Sequence, residues 1–196
     1  MKIDTAHLHY WMEAIRHSQD HNRTLDAFWQ GQLQSKEWLI DNLKHHVTTF
    51  ISIDIHGGWV GVLSSMLFQS GLPIKEICSV DIDPDCEPIA NIMNTIEENV
   101  GRFRAVTADM CQIKSKADVI INTVCEHLTQ SQYNTWLDNL PKDSIIVVQG
   151  NNYDIPEHVR TSANLQQFVE QSKLNILFSG EQTNSLYTRY MVIGKK

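Results

Sequence analysis

From Phe50 onward the chain alternates short apolar runs with longer stretches of helical periodicity. This alternation restricts it to architectures in which helices cover a mostly parallel sheet. Strands are expected at 49–54, 77–81, 104–107, 117–122 and 144–149. The fourth is almost wholly apolar, as a strand buried on both faces must be. Helical spacing separates them at 60–70, 87–99 and 131–140. A helix over 163–172 then precedes two more strands, at 175–179 and 187–193. The link between these two, 180–186, is too short for a helical crossover, so they are expected to pair antiparallel.

Ahead of this region, Leu8, Trp11, Met12 and Ile15 form one helical stripe, and Leu25, Phe28, Trp29, Leu33, Trp38, Leu39 and Leu43 form others. Two or three helices are expected, with starts near Thr24 and near Ser35, where short polar side chains can serve unpaired first-turn amides. Three tryptophans in this part are expected to pack on the main body, with the covering of a ligand as the second reading. The organisation expected is a helical extension over 1–48 and an α/β domain over 49–196.

A chain of 196 residues can bury one sizeable core, and 42% hydrophobic and 20% charged residues are ordinary for a globular protein. The net charge of -7 argues against a protein whose main business is gripping phosphate backbones, which takes clustered Lys and Arg. Arg102-Phe103-Arg104 is the one compact basic stretch, and it reads as a solvated approach to a strand. Cys78, Cys86, Cys111 and Cys125 have no C-x-x-C spacing, so reduced thiols and a cytoplasmic setting are expected. Residues from Met1 to Thr5 lead into His, Trp and Glu, so neither an export nor a membrane segment is expected. His7, His9, His45 and His46 lack the spacing of metal ligands beside a carboxylate, and no metal is expected.

The first strand runs from Asp54 through Gly57-Gly58-Trp59-Val60-Gly61 into a helix. Such a turn presents backbone amides at a helix start, and glycine permits close approach of a ligand. The second strand ends in Asp81, followed by Ile82, some 23 residues beyond Gly58. An acid there can accept hydrogen bonds from both hydroxyls of a ribose. The third ends near Asp109 and Met110, suited to an adenine amine and its ring, and the fourth opens through Asn122 into Cys125-Glu126-His127. All lie at carboxyl ends of strands, where open α/β sheets bind ligands.

Over about 50–196 this ordered set resembles the class I S-adenosylmethionine-dependent methyltransferase superfamily, in particular uncharacterised bacterial and phage members. The resemblance implies a three-layer Rossmann-like fold with a mostly parallel seven-stranded sheet and a reversed last strand. It implies S-adenosylmethionine as cofactor, with its methionine part against Asp54, His56, Gly57, Gly58 and Trp59. Asp81 and Ile82 would take the ribose, Asp109 and Met110 the adenine, and Asn122 the floor of the transfer site. The superfamily turn commonly reads acid-x-Gly-x-Gly-x-Gly; here His56 stands at the first glycine and Val60 at the third. His56 is expected either to hold an unusual backbone angle or to point towards the cofactor carboxylate.

Candidates for proton handling are Glu126, His127, His158 and Tyr153, imidazole being suited to exchange near neutrality. Asn151, Asn152 and Tyr153 offer amides and a phenol to an acceptor, with turn formation as the alternative reading. Cys125 is expected to be a buried structural thiol. The activity expected is methyl transfer to a small-molecule acceptor. Aminocarboxypropyl transfer or cyclisation from the same cofactor, or non-catalytic binding, are the alternatives. No nucleic-acid or membrane partner is expected, and a homodimer is compatible with the sequence.

Overall fold

A computed structural model describes residues 4–196. Met1, Lys2 and Ile3, part of the stretch read above for an export segment, lie outside the described residues. The strands form one seven-stranded sheet in the order β3-β2-β1-β4-β5-β7-β6. The parallel strands agree with the alternation of runs, and the seven-stranded order with one reversed strand is the Rossmann-like fold that the resemblance implies. The chain divides into two compact units, Met1–Asp109 and Met110–Lys196.

In the first unit, β1 (Ile51–His56), β2 (Ile74–Asp81) and β3 (Phe103–Thr107) are parallel, β2 lying between the other two. β1 runs two residues beyond Asp54, which therefore sits inside the ladder opposite Cys78. α4 (Val62–Phe68) and α5 (Cys86–Met93) supply buried Leu63, Met66, Leu67, Ile89 and Met93. Each fully buried residue of this size contributes about 1.5–3 kcal/mol. The single helix expected over 87–99 is broken at Asn94, whose side chain reaches back to the Gly61 carbonyl at 3.1 Å, and a short α6 (Thr95–Glu98) follows. Arg102 pairs with Glu97 at 3.0 Å immediately before β3.

The N-terminal helices α1 (Thr5–His17), α2 (His21–Asp26) and α3 (Gln30–Leu43) belong to this same unit. Their starts differ from those expected. Asp4 caps α1 and Asp20 caps α2, each through its carboxylate on a first-turn amide, while Thr24 and Ser35 lie inside helices. Asp20 accepts the Arg23 amide and starts the helix before Thr24, whose hydroxyl instead donates to Ser18 Oγ at 2.7 Å. Trp11 packs as expected: it is buried, and its indole N–H donates to Ser65 Oγ on α4 at 2.8 Å. Trp29 is exposed.

In the second unit, β4 (Val119–Asn122) and β5 (Ile145–Asn151) are parallel, and β7 (Thr188–Lys195) runs antiparallel to both β5 and β6 (Asn175–Thr183). The two strands form the expected antiparallel hairpin, but β6 extends to Thr183 and the link is 184–187 rather than 180–186. α7 (Gln130–Asp138) begins with a capping box between Thr129 and Gln132, and α8 (Leu165–Ser172) with Asn164 on the Gln167 amide. Both helices close over an apolar core that includes Trp136, Tyr133, Phe168, Val148 and Tyr190. Phe168 lies so close to Gly150 that a β-carbon there would meet its ring at 2.6 Å. Gly150→Ala is therefore expected to cost about 1–3 kcal/mol in urea unfolding, as overpacking does, and Phe168→Leu in the same chain is expected to recover part of it.

Candidate functional site

The turn after β1 is held by β2. The amides of Gly57 and Gly58 both donate to the Val80 carbonyl, at 2.9 and 3.0 Å, and the Trp59 amide donates to Asp81 Oδ2 at 2.8 Å. Asp81 Oδ1 accepts the Asp83 amide at 3.1 Å. Both oxygens of Asp81 are oriented by backbone in this way, while the side chain stays half-buried. A carboxylate offers about four acceptor positions, so two remain for a ligand. Ile82 beside it is 70% exposed, an apolar surface next to an anchored anion.

Gly58 is required here by space, since a β-carbon would lie 1.9 Å from Ser79 Oγ. Gly57 and Gly61 hold φ of 73° and 81°. The unusual backbone angle expected at His56 falls instead on Trp59, with φ of 49°. His56 has none because it is the last ladder residue of β1, paired with Val80. Its ring is wholly buried, and burial lowers its pKa to about 4. The imidazole is therefore neutral at pH 7. Asp109 is half-buried at the end of the unit, beyond β3.

In the second unit, Asn122 is fully buried at the end of β4. Its amide nitrogen donates to Met110 Sδ at 3.4 Å and its carbonyl oxygen accepts the Val124 amide at 3.0 Å. A 3-10 turn over Cys125–His127 follows. Cys125 is buried, and desolvation pushes its thiol up to about 12, so it is a structural thiol as expected.

Glu126 is only 4% exposed. Its Oε1 accepts Asn151 Nδ2 at 2.5 Å and lies 3.9 Å from Arg189 Nη1, an equally buried cation on β7. His127 and His158 stack edge to face, with ring centroids 4.9 Å apart, and Tyr153 meets His158 at 6.0 Å. The structure thus brings together all four residues proposed for proton handling.

The three residues proposed to grip an acceptor divide. Asn151 spends its amide nitrogen on Glu126 and its oxygen on the Tyr153 amide, and Asn152 exchanges hydrogen bonds with Thr188. Tyr153 keeps an exposed phenol.

Arg189 and Arg160 are the residues that sequence reasoning missed. Arg160 donates to Gln130 Oε1 at 2.8 Å and to the carbonyls of Cys125 and Gln171, and it stacks on Tyr133 at 4.1 Å. The available signal for Arg189 was a cation within the otherwise apolar run Tyr187-Thr188-Arg189-Tyr190-Met191-Val192. A groove of about 650 Å³ along Thr129, Gln130, Arg160 and Gln171 contains none of the proposed site residues.

The fold defines the class of protein this chain resembles, and solved structures give particular examples. Magnesium protoporphyrin IX methyltransferase from Synechocystis PCC 6803, with bound SAH, shares 15% identity over 98% of this chain and 94% of its own, with a TM-score of 0.67. N-methyltransferase NodS from Bradyrhizobium japonicum WM9, in complex with S-adenosyl-L-homocysteine, shares 14% over 95% and 99%, also at 0.67. Coclaurine N-methyltransferase bound to N-methylheliamine and SAH shares 9% over 83% and 73%, at 0.64. At such identities the likeness is one of fold. No protein-family model matches the sequence, and no curated protein matches it.

Two measurements follow from the buried groups. Because the His56 pKa falls from 6.5 to about 4 on folding, the unfolded chain binds more protons between these values. Its stability contribution is complete above pH 6.5 and is lost as pH falls through 4, by up to about 3 kcal/mol. Urea unfolding of wild type and His56→Gln is expected to show that difference in slope. Arg189→Met leaves Glu126 without its cation and is expected to cost about 3 kcal/mol, since breaking a buried pair strands the partner charge. Thermal denaturation is expected to fall by roughly 6–12 °C.

Proposed function

We propose that this chain is an S-adenosylmethionine-dependent methyltransferase acting on a small-molecule acceptor. The single observation that carries the reading is the Asp81 carboxylate, braced by the amides of Trp59 and Asp83 with acceptor capacity to spare. That arrangement suits the two hydroxyls of a ribose, and the exposed Ile82 suits the face of a base. Solved neighbours with bound SAH support the choice of cofactor. The acceptors and bound compounds named for the neighbours, a magnesium porphyrin and N-methylheliamine, are small molecules, and a net charge of -7 fits such an acceptor better than a polyanion.

When bound, S-adenosylmethionine supplies an electrophilic methyl group, and the enzyme's main task is to hold the acceptor in line. Asp54, Gly57, Gly58 and Trp59 are assigned to the methionine part of the cofactor, Asp81 to the ribose with Ile82 against the neighbouring face of the base, Asp109 and Met110 to the adenine, and Asn122 to the floor of the transfer site. His56, buried and neutral, is assigned to shaping the turn rather than to pairing with a carboxylate.

An acceptor that must lose a proton needs a base. His127 Nδ1 lies 3.1 Å from the Glu157 carbonyl and His158 Nδ1 lies 2.7 Å from the Tyr153 carbonyl. Carbonyls only accept, so both Nδ1 atoms carry the hydrogen, and in the neutral ring the lone pair is then on Nε2. His127 and His158 are therefore the proton acceptors of the cluster. Glu126 positions the turn that carries His127, and the Tyr153 phenol is assigned to the acceptor. The helices α1, α2 and α3 are assigned a covering role.

Calorimetric titration with S-adenosylhomocysteine tests the reading. Wild type is expected to bind, and Asp81→Ala to bind at least about tenfold more weakly, since a hydrogen bond to a charged group is worth about 1.5–3 kcal/mol. Asp81→Asn, which keeps an acceptor for one backbone amide, is expected to fall between the two. Unchanged affinity in Asp81→Ala would remove the assignment. With an acceptor present, release of S-adenosylhomocysteine marks methyl transfer, whereas methylthioadenosine would mark aminocarboxypropyl transfer or cyclisation.

A further inference from the structure

Among the described residues, Glu126, His127 and His158 each bring one potential ligand atom, an imidazole nitrogen or a carboxylate oxygen, within 4.8 Å of those of the other two. They come from two separate segments, the turn after β4 and the loop after β5. Three features of their chemistry go together.

The first is the protonation pattern. Both imidazoles give Nδ1–H to a main-chain carbonyl, at 3.1 and 2.7 Å. A metal-binding histidine is typically held this way, one nitrogen donating to a fixed acceptor so that the other presents a lone pair. The second is Glu126. Asn151 and Arg189 both engage Oε1, while Oε2 is buried and has no hydrogen-bond partner. A buried carboxylate oxygen left unsatisfied is costly, and a cation reached from the histidine side would satisfy it. The third is access. His127 is exposed and His158 half-exposed, so an ion can enter without the core opening.

We propose that Glu126, His127 and His158 bind one divalent first-row transition ion. Two imidazole nitrogens and one carboxylate oxygen suit Zn2+, Co2+, Mn2+ or Fe2+ and are a poor set for Ca2+ or Mg2+, which prefer all-oxygen shells. Ligands at about 2.1 Å around a tetrahedral ion stand about 3.4 Å apart, so the group must contract slightly. The two surface rings can supply this by rotation. Arg189 near Oε1 offsets part of the negative charge of Glu126 and limits affinity, leaving Oε2 as the ligand atom.

Three protein ligands leave a coordination position open, as at catalytic rather than structural sites. Resting on the methyltransferase reading, that position assigns the acceptor's class: a small molecule presenting an ionisable oxygen, whose O–H bond gives way to an oxygen–ion bond as its proton passes to solvent water. The two Nε2 atoms then act as ligands and the ion's charge replaces them in favouring deprotonation.

The test uses the whole chain, freed of metal by chelator and dialysis, with neither cofactor nor acceptor present. Titration with Co2+ is read by visible absorption, and Zn2+ competition by calorimetry. Wild type is expected to take up one ion per chain. His127→Asn and His158→Asn are each expected to weaken uptake by about 10–100-fold, and the double variant to abolish it. Urea unfolding of these variants without metal is expected to match wild type, because both side chains reach the surface.

Absence of uptake by wild type at about 1 mM ion, or undiminished uptake by the double variant, would overturn the site. Glu126→Gln is measured alongside, but the decision rests on the histidines because Glu126 also pairs with Arg189. Separate titration with S-adenosylhomocysteine keeps the two readings apart. Cofactor bound without metal counts against this site alone, and metal bound without cofactor counts against the methyltransferase reading alone.

Discussion

The end of β2 organises the first unit. The Val80 carbonyl and the Asp81 carboxylate together receive three consecutive amides, those of Gly57, Gly58 and Trp59, from the turn that leaves β1. These are groups that a strand leaving its sheet would otherwise abandon. Taking them up forces the chain into left-handed angles at Gly57 and Trp59 and brings Gly58 against Ser79. Much of the local sequence is a response to that demand. Glycine stands where a β-carbon would collide, and Asn94 reaches from the end of α5 to the Gly61 carbonyl at the start of α4. The same carboxylate that braces the turn keeps acceptor positions open, so support and binding capacity share one side chain.

The second unit is ordered by a different kind of constraint. Glu126, Asn151 and Arg189 stand on the 3-10 turn, on β5 and on β7, and meet in the interior through a hydrogen bond and a long ion pair. Their mutual dependence fixes the turn carrying His127 relative to the strand preceding Tyr153. Arg160 adds a second fastening, with its guanidinium on the Cys125 and Gln171 carbonyls and over the Tyr133 ring. Two buried cations are costly to desolvate; Arg160 is matched to specific acceptors, whereas Arg189 meets Glu126 and the Tyr187 hydroxyl and leaves its Nε without a hydrogen-bond partner.

The architecture was legible in the sequence because apolar runs and short links are local properties. The hairpin of β6 and β7 followed from link length alone, and the strand ends followed to within a few residues. What local pattern misplaced were features settled by tertiary partners. Thr24 resembles a cap in sequence, but Asp20 accepts the Arg23 amide and starts the helix ahead of it. Asp54 resembles the end of a strand, yet pairing with β2 carries the ladder to His56. Asn151 and Asn152 resemble a substrate grip, yet the first is committed to Glu126 and Tyr153 and the second to the sheet. The run around Arg189 marks it as unusual, but its partner Glu126 lies far away in the chain and no local pattern names it.

The position of β7 has a consequence for the order of assembly. It follows β6 in the chain yet lies between β5 and β6 in the sheet, antiparallel to each. During synthesis β6 therefore emerges before the strand it pairs with, and β5 likewise waits with one edge open. Until β7 arrives, two strand edges and the apolar face beneath α7 and α8 are exposed together, the condition in which nascent chains are most prone to wrong pairing. Arg189 travels on that same late strand, so the buried charge of Glu126 gains its partner only at the step that closes the sheet.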